Sequence, residues 1–256
     1  MVQEENKPIA DEVLENEIPL QKEINDIPED YKIKEDQLML DGNDELDQVK
    51  GDDTLPRTED DPAYLQTSPQ VVGYNSTEEQ GIIYDYVLSN LNPLADSILD
   101  LGCARGDFYR HVQDVYQVDP VYHGVDINQP LISVAKELSP GTKFTCVNWF
   151  DLDGNYAADW VINIQSSTIL YEPVKEDFDP VQGLRNTIIK MLELADVGIV
   201  ISLLSTLAPD AYDGDYLVYD PIETLDWALN EYGQGGGNVK LDHSMTDAIF
   251  TLTIYK

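Results

Sequence analysis

The residues best suited to chemistry stand together in the run Leu99-Asp100-Leu101-Gly102-Cys103-Ala104-Arg105-Gly106-Asp107. Gly102 and Gly106 let a backbone turn sharply and approach a ligand closely. The apolar run from Ser97 to Gly102 reads as a buried strand, and Phe108, Val112 and Val115 after it as one face of a helix. A glycine turn between a strand and a helix is where a doubly wound sheet binds ligands, at its carboxyl edge. A second run, Tyr122 to Ile127, carries Asp126, 20 residues after Gly106. A carboxylate in that place accepts both hydroxyls of a ribose. The competing reading is a glycine turn that serves only packing, beside a solvated acid.

Other chemistry is weakly represented. His111, His123 and His243 are scattered, without i, i+4 pairing or a cysteine neighbour suited to metal, so neither a zinc site nor a Ser-His-Asp triad is indicated. His123 and His243 read as strand residues, and His111 as a helix-surface residue. The pairs Asp151/Asp153 and Asp213/Asp215 have the charge to bind a divalent ion, but their turn context already explains them. No metal site is expected. Cys103 and Cys146 read as core-strand residues without metal spacing, which suits a reduced, intracellular protein.

The elements that must position the turn follow from pattern. Ser76 and Glu79 have capping-box spacing, with Ile82, Ile83, Tyr86 and Val87 on the helical face after them. Leu131, Val134, Ala135 and Leu138 mark a helix opened by Pro130. Lys143 to Phe150 and Asp159 to Ile164 read as strands. Val181, Leu184, Ile188, Met191 and Leu192 mark a long amphipathic helix, and Val197 to Leu204 the next strand. Ile222, Leu225 and Leu229 mark a last helix, before Asn238 to Asp242 and Ala248 to Tyr255. Alternating strands and helices specify an α/β fold with helices on both faces of a parallel sheet. The short polar link between the last two runs makes the closing pair antiparallel.

These residues resemble class I S-adenosylmethionine-dependent methyltransferases. The resemblance rests on Asp-Leu-Gly-Cys-x-x-Gly-Asp-Phe and Gly-Val-Asp-Ile, and runs from about Gly73 to the C-terminus. The segment Gly73-Tyr-Asn-Ser-Thr-Glu-Glu-Gln80 is similar to the entry segment of a bacterial and viral subgroup. The resemblance implies a doubly wound, mostly parallel seven-stranded sheet, Rossmann-like, with an antiparallel last strand. It implies that Asp100 and the backbone of Gly102, Ala104 and Gly106 cradle the methionine part of S-adenosylmethionine. It places Asp126 on the ribose, Ile127 against the adenine, and Asn148 and Trp149 at the adenine edge. Gln165 would face the sulfonium and the substrate. Where Ala104 stands the family usually has a further glycine, so a positive φ there would crowd the cofactor; Arg105 beside it adds bulk that can point to solvent.

Methyl transfer from a sulfonium needs mainly positioning and exclusion of water, and a base only when the nucleophile must lose a proton. No catalytic signature is recognised. Asn163-Ile-Gln165-Ser166-Ser167-Thr168 lacks the Asn/Asp-Pro-Pro-Tyr/Phe pattern of enzymes that methylate the exocyclic amines of bases or glutamine side chains. Tyr171 and Glu172 occupy the region where small-molecule members place a His or acid, but read as a structural tyrosine and a surface acid. Tyr212, Tyr216, Tyr219 and Tyr232 lie where the family forms its substrate lid.

Charge narrows the partners. Among 256 residues, 49 are acidic and 15 basic, net −34. Such a surface repels phosphate backbones and anionic lipid, so neither nucleic acid nor membrane is expected as an unaided partner. No run of apolar residues approaches a membrane span, and no secretory signal is recognised at the N-terminus. Residues 1–60 carry 20 acidic and 6 basic side chains and show no sustained period. Residues 1–62 are therefore expected to form a flexible or extended acidic arm, and 63–256 the folded domain. Two functional readings stay open. The first is a cytoplasmic methyltransferase acting on a small molecule or a protein. The second is a methyltransferase-fold assembly protein, in host cytoplasm or virion, whose residues 1–60 bind a protein partner. High-salt solubility is a separate explanation of the charge.

Overall fold

A computed structural model describes residues 67–91, 96–168, 179–208, 216–233, 238–244 and 246–256, all within the unit Pro56–Lys256. Tyr171, Glu172, Tyr212, Asp213, Asp215 and the acidic arm lie outside the described residues.

Seven strands form one sheet: β1 (Ile98–Leu101), β2 (Tyr122–Asp126), β3 (Lys143–Cys146), β4 (Ala158–Ile164), β5 (Ala195–Leu204), β6 (Val239–Asp242) and β7 (Ile249–Tyr255). Their order is β3-β2-β1-β4-β5-β7-β6. Strands β1 to β5 are mutually parallel, and β7 runs antiparallel to both β5 and β6. All four residues of β1 are buried, as expected of a central strand covered on both faces.

Five helices flank the sheet among the described residues: α1 (Thr77–Leu88), α2 (Asp107–Tyr116), α3 (Gln129–Leu138), α4 (Pro180–Leu194) and α5 (Pro221–Tyr232). One apolar cluster joins α1, α2 and α3 to one face of the sheet through Ile83, Val87, Phe108, Val112, Ile132 and Ala135. A second joins α4 and α5 to the other face through Leu184, Ile188, Met191 and Ala228. Each fully buried aliphatic side chain of these stripes contributes roughly 1.5–3 kcal/mol. Caps set the helix starts. Ser76 Oγ accepts from Glu79 N–H, while the Glu79 carboxylate reaches back to Asn75 N–H at 2.7 Å, one residue before the usual capping-box partner. Asn128, Asp179 and Asp220 cap α3, α4 and α5.

Several sequence expectations are corrected. Ile82, Val115, Leu138, Ile222 and Leu229 point outward, Ile222 with 71% exposure. In α5 the buried face is Pro221, Thr224 and Ala228, because the small residues let the helix sit close to the sheet. The third strand ends at Cys146, and Trp149–Asp151 forms a 3₁₀ turn that Asn148 caps from its side chain. Cys103 lies in the turn after β1 rather than in a strand, and His243 follows β6 by one residue.

Candidate cofactor site

The strand order reverses at β1, which pairs with β2 on one side and β4 on the other. A doubly wound sheet opens a crevice at such a point, outside its carboxyl edge. Here the crevice is a shallow cleft of about 120 Å³, smaller than the roughly 300–1,000 Å³ of small-molecule sites. Asp100, Gly102 and Ala104 line it, as do Tyr74, Tyr84, Asn128 and Ser166.

The turn after β1 is built from left-handed residues: Gly102 at φ 81°, Ala104 at φ 48° and Gly106 at φ 75°. Gly102 N–H and Cys103 N–H both bond to the Val125 carbonyl, which ties the turn to β2. Ala104 thus adopts the conformation that favours glycine, at a cost of about 1–2 kcal/mol. A compensating bond is visible: Ala104 N–H donates to an Asp126 carboxylate oxygen at 2.9 Å. The other Asp126 oxygen accepts from Asn128 N–H at 2.8 Å. Asp126 is buried, and desolvation raises its pKa against those backbone bonds.

Neither glycine faces an open ligand space where its side chain would be. A Cβ on Gly102 would lie 2.0 Å from Ser166 Oγ, and one on Gly106 would lie 2.6 Å from the Phe144 ring. These glycines admit the neighbouring protein groups as well as the backbone turn. Arg105 is buried at 3% exposure rather than directed to solvent. Its Nε donates to both Asp107 oxygens, at 2.7 and 3.0 Å. Arg110 also pairs with Asp107, and Gln80 Nε2 donates to it at 3.1 Å. Gln80 Nε2 donates to Tyr84 Oη as well. The entry helix α1 is thereby anchored to the first turn of α2, with Tyr74 and Tyr84 walling the cleft.

Asp100 sits at the cleft floor, 2% exposed, and accepts from Tyr122 Oη at 2.6 Å. Burial pushes its pKa up to about 7, opposed by the Tyr122 bond and reinforced by the Asp126 charge. His123 is pulled down to about 4 by burial and by Lys143, and its Nε2 lies 2.9 Å from Thr145 Oγ1. It is neutral near pH 7 and does not face the cleft.

The other expected site residues ring the cleft rather than line it. Ile127 follows Asp126 with 56% exposure, leaving an apolar face open to solvent. Phe150 is 47% exposed and packs beside Trp149. Trp149 Nε1 is buried with no hydrogen-bond partner, an unsatisfied donor next to the turn. Gln165 follows β4, buried and left-handed at φ 59°, with its N–H on Ser202. Sequence reasoning did not assign Asn128 or Ser166 to the site. Asn128 was legible as the cap two residues after Asp126, whereas Ser166 carries no local signal. Asp153 caps the 3₁₀ turn Gly154–Tyr156, in keeping with its turn reading. Among the described residues no group of three or more His, Cys, Asp or Glu is placed to hold a metal ion, and no helix is long and apolar enough to cross a membrane.

The groups present fit a nucleoside-sulfonium cofactor except at Ala104, which lines the cleft at positive φ and crowds it as expected. The Asp126 carboxylate keeps acceptor capacity beyond its backbone bonds, Ile127 offers an open apolar face, and the Trp149 donor awaits a partner.

No family profile matches the chain, and no curated protein matches it. Solved structures do. Within the Pnkp1/Rnl/Hen1 RNA repair complex, one chain is similar over 70% of this chain at 16% identity and TM-score 0.53; the match spans 42% of that longer chain. The methyltransferase domain of bacterial CtHen1 matches 70% of this chain and 100% of its own, at 13% identity and TM-score 0.51. An S-adenosylmethionine-dependent methyltransferase from Clostridium acetobutylicum ATCC 824 matches 75% of this chain and 96% of its own, at 11% identity and TM-score 0.50. With the strand order and the glycine turn, this defines the fold: the described residues have the class I methyltransferase fold.

Proposed function

We propose that this protein is an S-adenosylmethionine-dependent methyltransferase whose acceptor is a small molecule or a protein. The observation that carries the reading is the left-handed turn of Gly102, Ala104 and Gly106 held to the Asp126 carboxylate, beside an open cleft at the strand-order reversal. When bound, the cofactor supplies a methyl group activated on sulfonium. Asp126 binds the ribose hydroxyls, Ile127 and Trp149 flank the adenine, and Asp100 with the turn backbone holds the amino-acid end. Gln165 faces the acceptor side. Tyr74 and Tyr84 exclude water from the cleft, which is most of what such a displacement asks of a protein. The net charge of −34 supports an acceptor other than nucleic acid, and the free thiols of Cys103 and Cys146 support a reduced, cytoplasmic location.

The test is methyl transfer itself. Purified protein is incubated with methyl-tritiated S-adenosylmethionine and either a small-molecule or a protein fraction of a cell extract. Label transferred by wild-type protein and lost with Asp126→Ala is the expected result. A folded protein that neither transfers label nor binds the cofactor overturns the reading, and would favour the assembly role instead.

A further inference from the structure

Asn163 is a polar side chain near the cleft with no exposed surface, yet it does not line the cleft. It lies on β4 and uses both ends of its amide. Nδ2 donates to the Leu101 carbonyl at 2.9 Å, just before the glycine turn. Oδ1 accepts from Ser167 N–H at 3.2 Å and from Ser167 Oγ at 3.0 Å, in the 3₁₀ turn after β4. A second link runs in parallel: Ser166 Oγ donates to the Gly102 carbonyl at 2.9 Å. The far side of the same 3₁₀ turn is held in turn. Tyr219 Oη donates to the Ser167 carbonyl at 2.9 Å, and Leu217 N–H donates to the Thr168 carbonyl at 2.8 Å. Tyr219 is itself fixed by Leu204, through N–H to carbonyl at 2.9 Å.

We propose that Asn163 is a positioning residue that clamps the glycine turn to the turn after β4 and, through Ser167 and Tyr219, to the segment after β5. The clamp fixes the distance between the cofactor side and the acceptor side of the cleft. The proposal rests on the cofactor reading above for its purpose, but its mechanical content stands on the apo protein. The physical warrant is that a buried amide bonded at both its nitrogen and its oxygen resists displacement, since a shift leaves a buried group unsatisfied. The register of the two turns is therefore shared.

The decisive variants are Asn163→Ala and the milder Tyr219→Phe, which removes a single hydroxyl outside the cleft. Ile188→Val on α4 serves as a control for general destabilisation. Two readouts are taken on the full chain. Hydrogen exchange of the Gly102, Cys103 and Ala104 amides is followed without ligand, and S-adenosylhomocysteine affinity is measured by calorimetry. For Tyr219→Phe we expect exchange at the turn to quicken and affinity to fall by about 3- to 10-fold, the worth of one hydrogen bond, with Asn163→Ala larger. Ile188→Val, matched for thermal stability, should change neither. Turn exchange in Tyr219→Phe equal to the control overturns the clamp, whatever Asn163→Ala does to folding. If wild-type protein binds no S-adenosylhomocysteine, the proposed function fails, and the exchange comparison alone decides the clamp.

Discussion

At the scale of single residues, Asp100 is the carboxylate of the cleft floor that burial moves far from its ordinary behaviour. Its carboxyl titrates near 7 in the fold against 3.8 unperturbed, chiefly because burial disfavours its charge. The folded state therefore holds the proton more tightly than the unfolded chain. The stability this group contributes is complete below about pH 4 and is lost as pH rises through about 7, a difference on the order of 4 kcal/mol. Urea denaturation of the apo protein should show stability falling across that window, and Asp100→Asn should flatten the profile. Binding of a cationic ligand end beside Asp100 would reverse the protonation. Calorimetry near pH 6 in buffers of different ionisation enthalpy is expected to report proton release. Ala104 offers a second test. Its φ of 48° makes Ala104→Gly relieve strain, so thermal melts should show a gain of up to about 1 kcal/mol after the entropy cost of glycine. The sequence signalled both residues, one by its place before the turn and the other as a departure from glycine. It could not signal that Arg105 folds inward, because the neighbouring Asp107 that receives it is held in turn by Arg110 and by the distant Gln80.

At the scale of elements, strands were more legible than helix faces. Buried runs such as Ile98–Leu101 and Ile249–Tyr255 are continuous in sequence, so composition alone marks them. Helix faces were misjudged where large apolar residues point outward, as with Ile82 and Ile222, and where small ones carry the packing, as with Thr224 and Ala228. The strand propensity of Trp149 and Phe150 extends the expected third strand to Phe150; the Asn148 cap instead turns them into the 3₁₀ turn Trp149–Asp151. The entry helix α1 depends on long-range polar contacts. Gln80→Leu removes the donor shared by Tyr84 and Asp107, leaving buried acceptors with fewer partners. It should cost about 1–3 kcal/mol in denaturant unfolding and weaken S-adenosylhomocysteine binding, with α1 amides exchanging faster.

At the scale of the whole molecule, the charge separates from the site. Residues 1–60 carry net −14 of the total −34, and the cleft residues named above come from the unit Pro56–Lys256. A chain lacking residues 1–62 is expected to keep its melting temperature within a few degrees and to keep cofactor affinity. The remaining acidic surface should make the body less stable at low ionic strength, since self-repulsion is screened by salt; melts across a salt series check this. The central claim concerns the cleft alone, and one titration addresses it. Isothermal titration of S-adenosylhomocysteine into the full-length protein should give a single saturable site, and Asp126→Ala, folded by circular dichroism, should lose that heat. No heat from folded wild-type protein, or unchanged affinity in Asp126→Ala, would contradict it.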